Sequence, residues 1–193
     1  ETEIGTIEAS QASALATKLA QLASGNVYTP DGVISLGTER VDLICELIQQ
    51  RESCVVAFIW KHQRDALKEK FESLGISYRV IDGEAKDIDR QNAVAEFQAG
   101  NVQVILAHPQ SAGHGLTLTR GTTTIWASPT YNAEHYEQFN RRIYRATQTK
   151  RTSTIHIIAE HTIDIDIYNK LLSKTVNMHD LLQLAKENYE LYK

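Results

Sequence analysis

Arg141, Arg142 and Arg145 stand close together in the run Gln138 to Gln148, which reads Q-x3-R-x2-R-x2-Q, and no carboxylate occurs between Gln138 and Glu160. Such a cluster repels itself unless an anion sits against it. A guanidinium stays charged and offers paired donors in a planar fork, which suits phosphate. The run therefore points to a nucleotide or a nucleic acid. A plainer reading is a solvated basic face on an exposed helix. Regular spacing, with glutamines at both ends, favours function.

A second candidate is the segment His108-Pro109-Gln110-Ser111-Ala112-Gly113-His114-Gly115-Leu116-Thr117-Leu118. It directly follows an apolar run, Val102 to Ala107, that reads as a strand. In an open parallel sheet, ligands bind beyond the carboxyl ends of strands, where glycines let the backbone approach a phosphate closely. A plain tight turn explains the glycines equally well. The segment is not a dinucleotide fingerprint, because the third glycine and the following acidic residue are missing. His108 and His114 read as structural or loop hydrogen-bonding residues, since further ligands at metal-binding spacing are lacking. Asp82-Gly83 ends another strand, where either a turn or a ligand edge fits. The chain has no G-x-x-x-x-G-K-[ST] loop and no strand ending in an acidic pair for Mg²⁺, so by itself it is not expected to hydrolyse ATP.

The elements that would position these groups alternate. Strands are expected at Cys54 to Trp60, Ser77 to Asp82, Val102 to Ala107, Thr123 to Ser128 and Thr154 to Ala159. Helices are expected at His62 to Leu74, Asp87 to Ala99 and Asn132 to Arg145, with Gly75 and Gly100 as C-terminal stops. This order predicts an α/β fold, a parallel sheet covered by helices on both faces. On the helix from Asn132, which can cap it, Gln138, Arg142 and Arg145 would face outward while Tyr136, Phe139 and Ile143 pack on the sheet. Trp60 and Trp126, near strand ends, read as core or rim packing. Ahead of the sheet lie a helix from about Ser10 to Ala23, a tight reversal at Thr29-Pro30-Asp31-Gly32 and a helix from Glu39 to Gln50. The stretch from Ile163 to Tyr192 reads as mostly helical.

With 193 residues, of which 42% are hydrophobic and 23% charged, the chain suits one domain with a full core. A net charge of -4 and a pI near 6.0 exclude a general polyanion coat, so nucleic-acid contact must come from a local patch. The patch is Arg141, Arg142, Arg145, Lys150 and Arg151. Cys45 and Cys54 lie in apolar surroundings without zinc or disulfide spacing, which suits a reduced, cytoplasmic compartment. No apolar run approaches the roughly 18 residues of a membrane span. The chain begins at Glu1 without methionine, as a piece of a longer protein or a processed chain would.

Together these segments resemble the second RecA-like lobe of Swi/Snf-type ATPases, in superfamily 2 of helicases and translocases, from about Leu36 to Ile167. Residues 1–35 then form a helical preface and 168–193 a C-terminal helical extension. Gln138 to Gln148 looks like the family's sixth motif, Q-x3-R-x2-R-x-G-Q, and Phe58 is similar to the fourth. Asp82-Gly83 with Arg90-Gln91 and Phe97 resembles the D-G-x6-R-Q stretch, and Ala112 to Leu118 the fifth motif, G-G-x-G-x-N-L. The wording His-Pro-x-Ser-Ala-Gly-His-Gly particularly resembles short bacteriophage members. Ala112, Thr117 and Thr147 depart from the family's glycine, asparagine and glycine, and Tyr131-Asn132-Ala133 stands where remodellers have W-N-P.

The resemblance implies that ATP and Mg²⁺ sit between two lobes in the complete protein, held mainly by an N-terminal lobe missing here, and that this chain alone holds neither. Arg142 and Arg145 would act as arginine fingers. Gln138 and Gln148 would contact the nucleotide or orient the helix, Gly113 and Gly115, also on the nucleotide side, would link its cleft to the DNA track, and Ser111 and Thr117 would donate to phosphates of double-stranded DNA. A translocase or helicase lobe is the leading expectation. Alternatives are a non-enzymatic module whose arginine face binds nucleic acid or protein, and an RNA helicase lobe, which usually carries histidine where Gln138 stands.

Overall fold

The computed structural model describes residues 12–112 and 115–176. Gly113, His114 and the leucines at 181, 182 and 184 lie outside them. Five strands were expected and all five form: β3 (Cys54–Ala57), β4 (Tyr78–Ile81), β5 (Val104–Ala107), β6 (Thr123–Trp126) and β7 (Ser153–His156). They make one sheet in the order β4-β5-β3-β6-β7, every pair parallel. The ladders run a residue or so further, since Phe58 N donates to Ala107 O at 3.1 Å and Ala127 N to Ala57 O at 2.9 Å.

β3, β5 and β6 are buried at every position, as strands covered on both faces must be. Alternate residues choose the face. Cys54, Val56, Val104, Leu106 and Ile125 pack against Ile44 and Ile48 of α2 (Glu39–Gln49) and Leu67 and Phe71 of α3 (Lys61–Leu74). Val55, Ala57, Ile105, Ala107 and Trp126 pack against Ala93 and Phe97 of α4 (Asp87–Ala99) and Phe139 of α5 (Ala133–Asn140). Period-two burial of this kind makes the expected three-layer α/β architecture. Gly75 and Gly100 end α3 and α4 in the left-handed conformation, at φ 67° and 86°, where a side chain would be strained.

The preface holds more than a turn. After α1 (Ala12–Ala23), Pro30-Asp31 closes a hairpin of β1 (Asn26–Thr29) and β2 (Gly32–Ser35), two strands that the sequence reading lacks. Both are four residues long and β2 is largely exposed, so neither shows a hydrophobic alternation to read. Residues 163–176 are helical, and no helix among the described residues is long and apolar enough to cross a membrane.

The hairpin covers His62 at the start of α3. The imidazole is 6% exposed, lies 5.0 Å from the Tyr28 ring and stacks on Trp60. Among the described residues neither ring nitrogen has a hydrogen-bond partner. Burial lowers its pKa to about 4, with Asp65 opposing. The unfolded chain binds this proton below about pH 6.5 and the folded chain only below about pH 4, so stability falls as pH drops through that window. Urea unfolding at pH 7 and pH 5 should therefore show His62→Phe losing about 2 kcal/mol less than the parent between the two. Equal losses would mean that His62 is not held neutral. His108 and His156 shift in the same direction through burial and remain in both proteins.

Candidate nucleotide and nucleic-acid site

Every loop that leaves the carboxyl end of β3, β4 or β5 opens into one cleft of about 360 Å³, lined by Phe58, Lys61, Arg64, Asp82, Ser111 and their neighbours. The adjoining central strands send their connections to opposite sides of the sheet, the kind of switch point where α/β proteins bind ligands. Asp82 is one of its charged lining residues. Burial raises the Asp82 pKa, but the hydrogen bond from Arg64 at 2.7 Å and backbone donors of Glu84 and Ala85 outweigh it and leave the pKa below the usual carboxylate value. Lys61 pairs with Glu84 at 2.6 Å across the mouth. Ser111 lies opposite, its hydroxyl 3.8 Å from where a side chain on Gly83 would begin. Lys61, Arg64 and Glu84 escaped the sequence reading, since single charges on a helix and a loop form no motif before the fold juxtaposes them.

The arginine run lies on the α5 side of the sheet. Asn132 caps α5 as expected, its side chain accepting from His135 N at 2.9 Å. The helix then stops at Asn140 instead of continuing to Arg145. The turn that follows is bonded through its carbonyls to residues outside it. Here Leu118 N donates to Arg142 O at 2.9 Å, and the Gln148 amide donates to Ile143 O at 3.0 Å. Residues 141–147 form a succession of turns.

That change breaks the expected shared face. Arg142 is only 7% exposed, while Arg145 and Arg141 are exposed. Burial, then the nearby Arg145 charge, lower the Arg142 pKa from its ordinary value. A guanidinium remains charged regardless. Arg145 reaches Leu116 O at 3.2 Å and thereby bridges the turn to the loop after β5. Gln148 is a clamp: its amide also donates to Thr119 O at 2.8 Å and Gly121 O at 3.1 Å. At Gly121 a Cβ would lie 3.0 Å from Ile143 Cγ2 and 3.1 Å from Leu118 O, so the turn packs where a side chain has no room. Gln138, in α5, donates to Glu134 Oε1 at 2.9 Å.

The fold thus brings Leu116, Leu118 and Gln148 against the arginine turn, and sets Ser111 in the strand-end cleft. Gly115 and Thr117 are exposed, and Gly115 takes φ 68°. Among the described residues, Gln138 bonds Glu134 on its own helix and not the turn. Buried cysteines complete the picture of a lobe whose chemistry lies elsewhere: desolvation raises the Cys45 and Cys54 thiols to about 11. Among the described residues no group of three or more His, Cys, Asp or Glu could hold a metal ion.

Comparison with known proteins agrees with this architecture. Residues 39–147 match the family described as the helicase conserved C-terminal domain. The chain is 30% identical over 135 residues to "Protein CHROMATIN REMODELING 24" of Arabidopsis thaliana, covering 69% of this chain and 12% of that protein. It is 26% identical over 191 residues to "Putative protein p41" of Acyrthosiphon pisum secondary endosymbiont phage 1, covering 93% of this chain and 39% of that protein. The chain therefore spans well under two thirds of these relatives. The C-terminal part of the Fun30 ATPase domain shares the fold, with a TM-score of 0.64 at 19% identity over 68% of this chain and 44% of that one. With the family match over most of the sheet, chromatin-remodelling and phage relatives, and a RecA-like neighbour, this chain belongs to the helicase conserved C-terminal domain family, as a second lobe of the Swi/Snf type.

Proposed function

We propose that this chain is the C-terminal motor lobe of an ATP-dependent DNA translocase, working with an N-terminal lobe that supplies the phosphate loop and the Mg²⁺ carboxylates. The observation that carries the reading is Arg142, a buried guanidinium beside Arg145 on a turn clamped to the loop after β5. Such a group, held by its backbone, needs little reorganisation to meet an anion. Arg142 and Arg145 would meet the terminal phosphate oxygens of ATP as charge develops there. Mg²⁺, where bound, neutralises further phosphate charge. Gln148 would hold the turn, and Gln138 would orient α5 or reach the nucleotide. Gly113 and Gly115 would carry the connection between this site and the cleft.

Ser111 and Thr117 would donate to phosphates of duplex DNA, contacts that set position without reading bases. The nearby Lys61 and Arg64 are already engaged by Glu84 and Asp82, which fits a track that grips weakly enough to be released on each step. The direct test joins this chain to a helicase N-terminal lobe and measures ATP hydrolysis with no nucleic acid, duplex DNA and duplex RNA. Stimulation by duplex DNA that falls as salt rises is the expected result. A rate indifferent to DNA would support a binding module instead, and stimulation by RNA alone would support an RNA helicase lobe.

A further inference from the structure

The turn bearing Arg142 begins where α5 stops, and a side chain marks that point. Asn140, the last residue of α5, accepts a hydrogen bond from the Trp126 indole N–H at 3.1 Å. Trp126 is fully buried at the end of β6, and its ring lies 5.1 Å from Tyr136 and 5.3 Å from Phe139. The Tyr136 hydroxyl beside it meets His156 Nε2 of β7 at 3.1 Å. The Asn140 side chain is therefore held to β6 through the indole.

Two residues later comes Arg142, whose carbonyl is fixed by Leu118 N. Residues 141 and 142 have little freedom between these two attachments. An indole N–H buried in the core has no water to turn to, so it keeps its acceptor and with it the end of the helix. We propose that Asn140, gripped by Trp126, is a positioning residue that sets where the Arg142 guanidinium stands. It touches no substrate. It determines the point at which the helix yields to the turn, and so the direction from which Arg142 approaches the nucleotide.

This inference rests on the arginine reading above, and the test separates the two. In a protein carrying both lobes, Asn140→Leu removes the acceptor at similar size. It is expected to lower kcat for DNA-stimulated ATP hydrolysis by about 10²-fold, the scale of a 1 Å misplacement, with KM for ATP and Tm close to the parent's. Asn140→Asp keeps an acceptor for the indole and is expected to restore most of the rate. Trp126→Phe removes the donor from the other side, keeps an aromatic ring, and should lower kcat as Asn140→Leu does, which covers the case in which that variant fails to fold. Parental kcat in Asn140→Leu or Trp126→Phe, or an Asn140→Asp variant as slow as Asn140→Leu, overturns the proposal. Arg142→Ala is measured alongside. If it is inactive while Asn140→Leu is fully active, only the positioning role fails; if it hydrolyses at the parental rate, the arginine reading fails and this inference with it.

Discussion

Arg142→Ala, in a protein that carries both lobes, is expected to lose about 10³- to 10⁵-fold in kcat for ATP hydrolysis while still binding ATP. The geometry makes Arg142 the more demanding of the two arginines. Its backbone is tied to Leu118 and its side chain is nearly buried, so the guanidinium is held ready before any nucleotide arrives. Arg142→Lys should fail almost as badly, because an ammonium of different reach cannot reproduce the planar fork from a fixed backbone. Arg145 is exposed and, among the described residues, attached through a hydrogen bond to Leu116 O, so Arg145→Lys should keep more activity than Arg142→Lys. Steady-state kcat and KM, with direct binding of a non-hydrolysed ATP analogue, distinguish lost chemistry from lost affinity. Hydrolysis unchanged in Arg142→Ala would sink the finger assignment.

The largest expected effect on stability lies far from those arginines, at Arg40. Its guanidinium donates to Asp164 Oδ2 at 2.6 Å, Ala23 O at 2.8 Å, Ala127 O at 2.7 Å and Ile157 O at 2.8 Å. One side chain thus joins the end of α1, the exits of β6 and β7, and the start of the helical run at 163–176. Asp164 is 1% exposed. Arg40→Ala leaves that carboxylate buried without its ionic partner and Ala23 O and Ile157 O without this donor, while Ala127 O keeps Gln63, and should lower the unfolding free energy by about 3–5 kcal/mol. Against a typical total of roughly 5–15 kcal/mol, that is severe. Removing both charges together, as Arg40→Met with Asp164→Leu, should recover most of the loss, since the main penalty is the uncompensated charge and not the missing attraction. Urea unfolding of the three proteins decides it. A loss below about 1 kcal/mol in Arg40→Ala would put the pair in the class of exposed ion pairs.

Neither Arg40 nor Asp164 carried any sign of this in the sequence, where 124 positions separate them. The strands did carry one: the runs around Val55, Ile105 and Ile125 are apolar at consecutive positions, and a strand buried on both faces must be. Gly75, Gly100 and Asn132 were equally legible, because a helix end is a local problem with few local solutions. The hairpin escaped notice because Val33 and its neighbours alternate weakly and remain largely exposed.

The arginine run shows the division most clearly. Residue types and spacing by themselves pointed to an anion at Arg142 and Arg145 and, through the resemblance they carry, to one lobe of a two-lobe motor; side-chain chemistry and repeat spacing travel with the chain. Where the helix ends, which arginine is buried, and that Gln148 spends its amide on three carbonyls were decided only by the tertiary structure. Leu118 N bonds the Arg142 carbonyl, and the Trp126 indole bonds the Asn140 side chain. These contacts join residues distant in sequence, and helix periodicity records nothing of them.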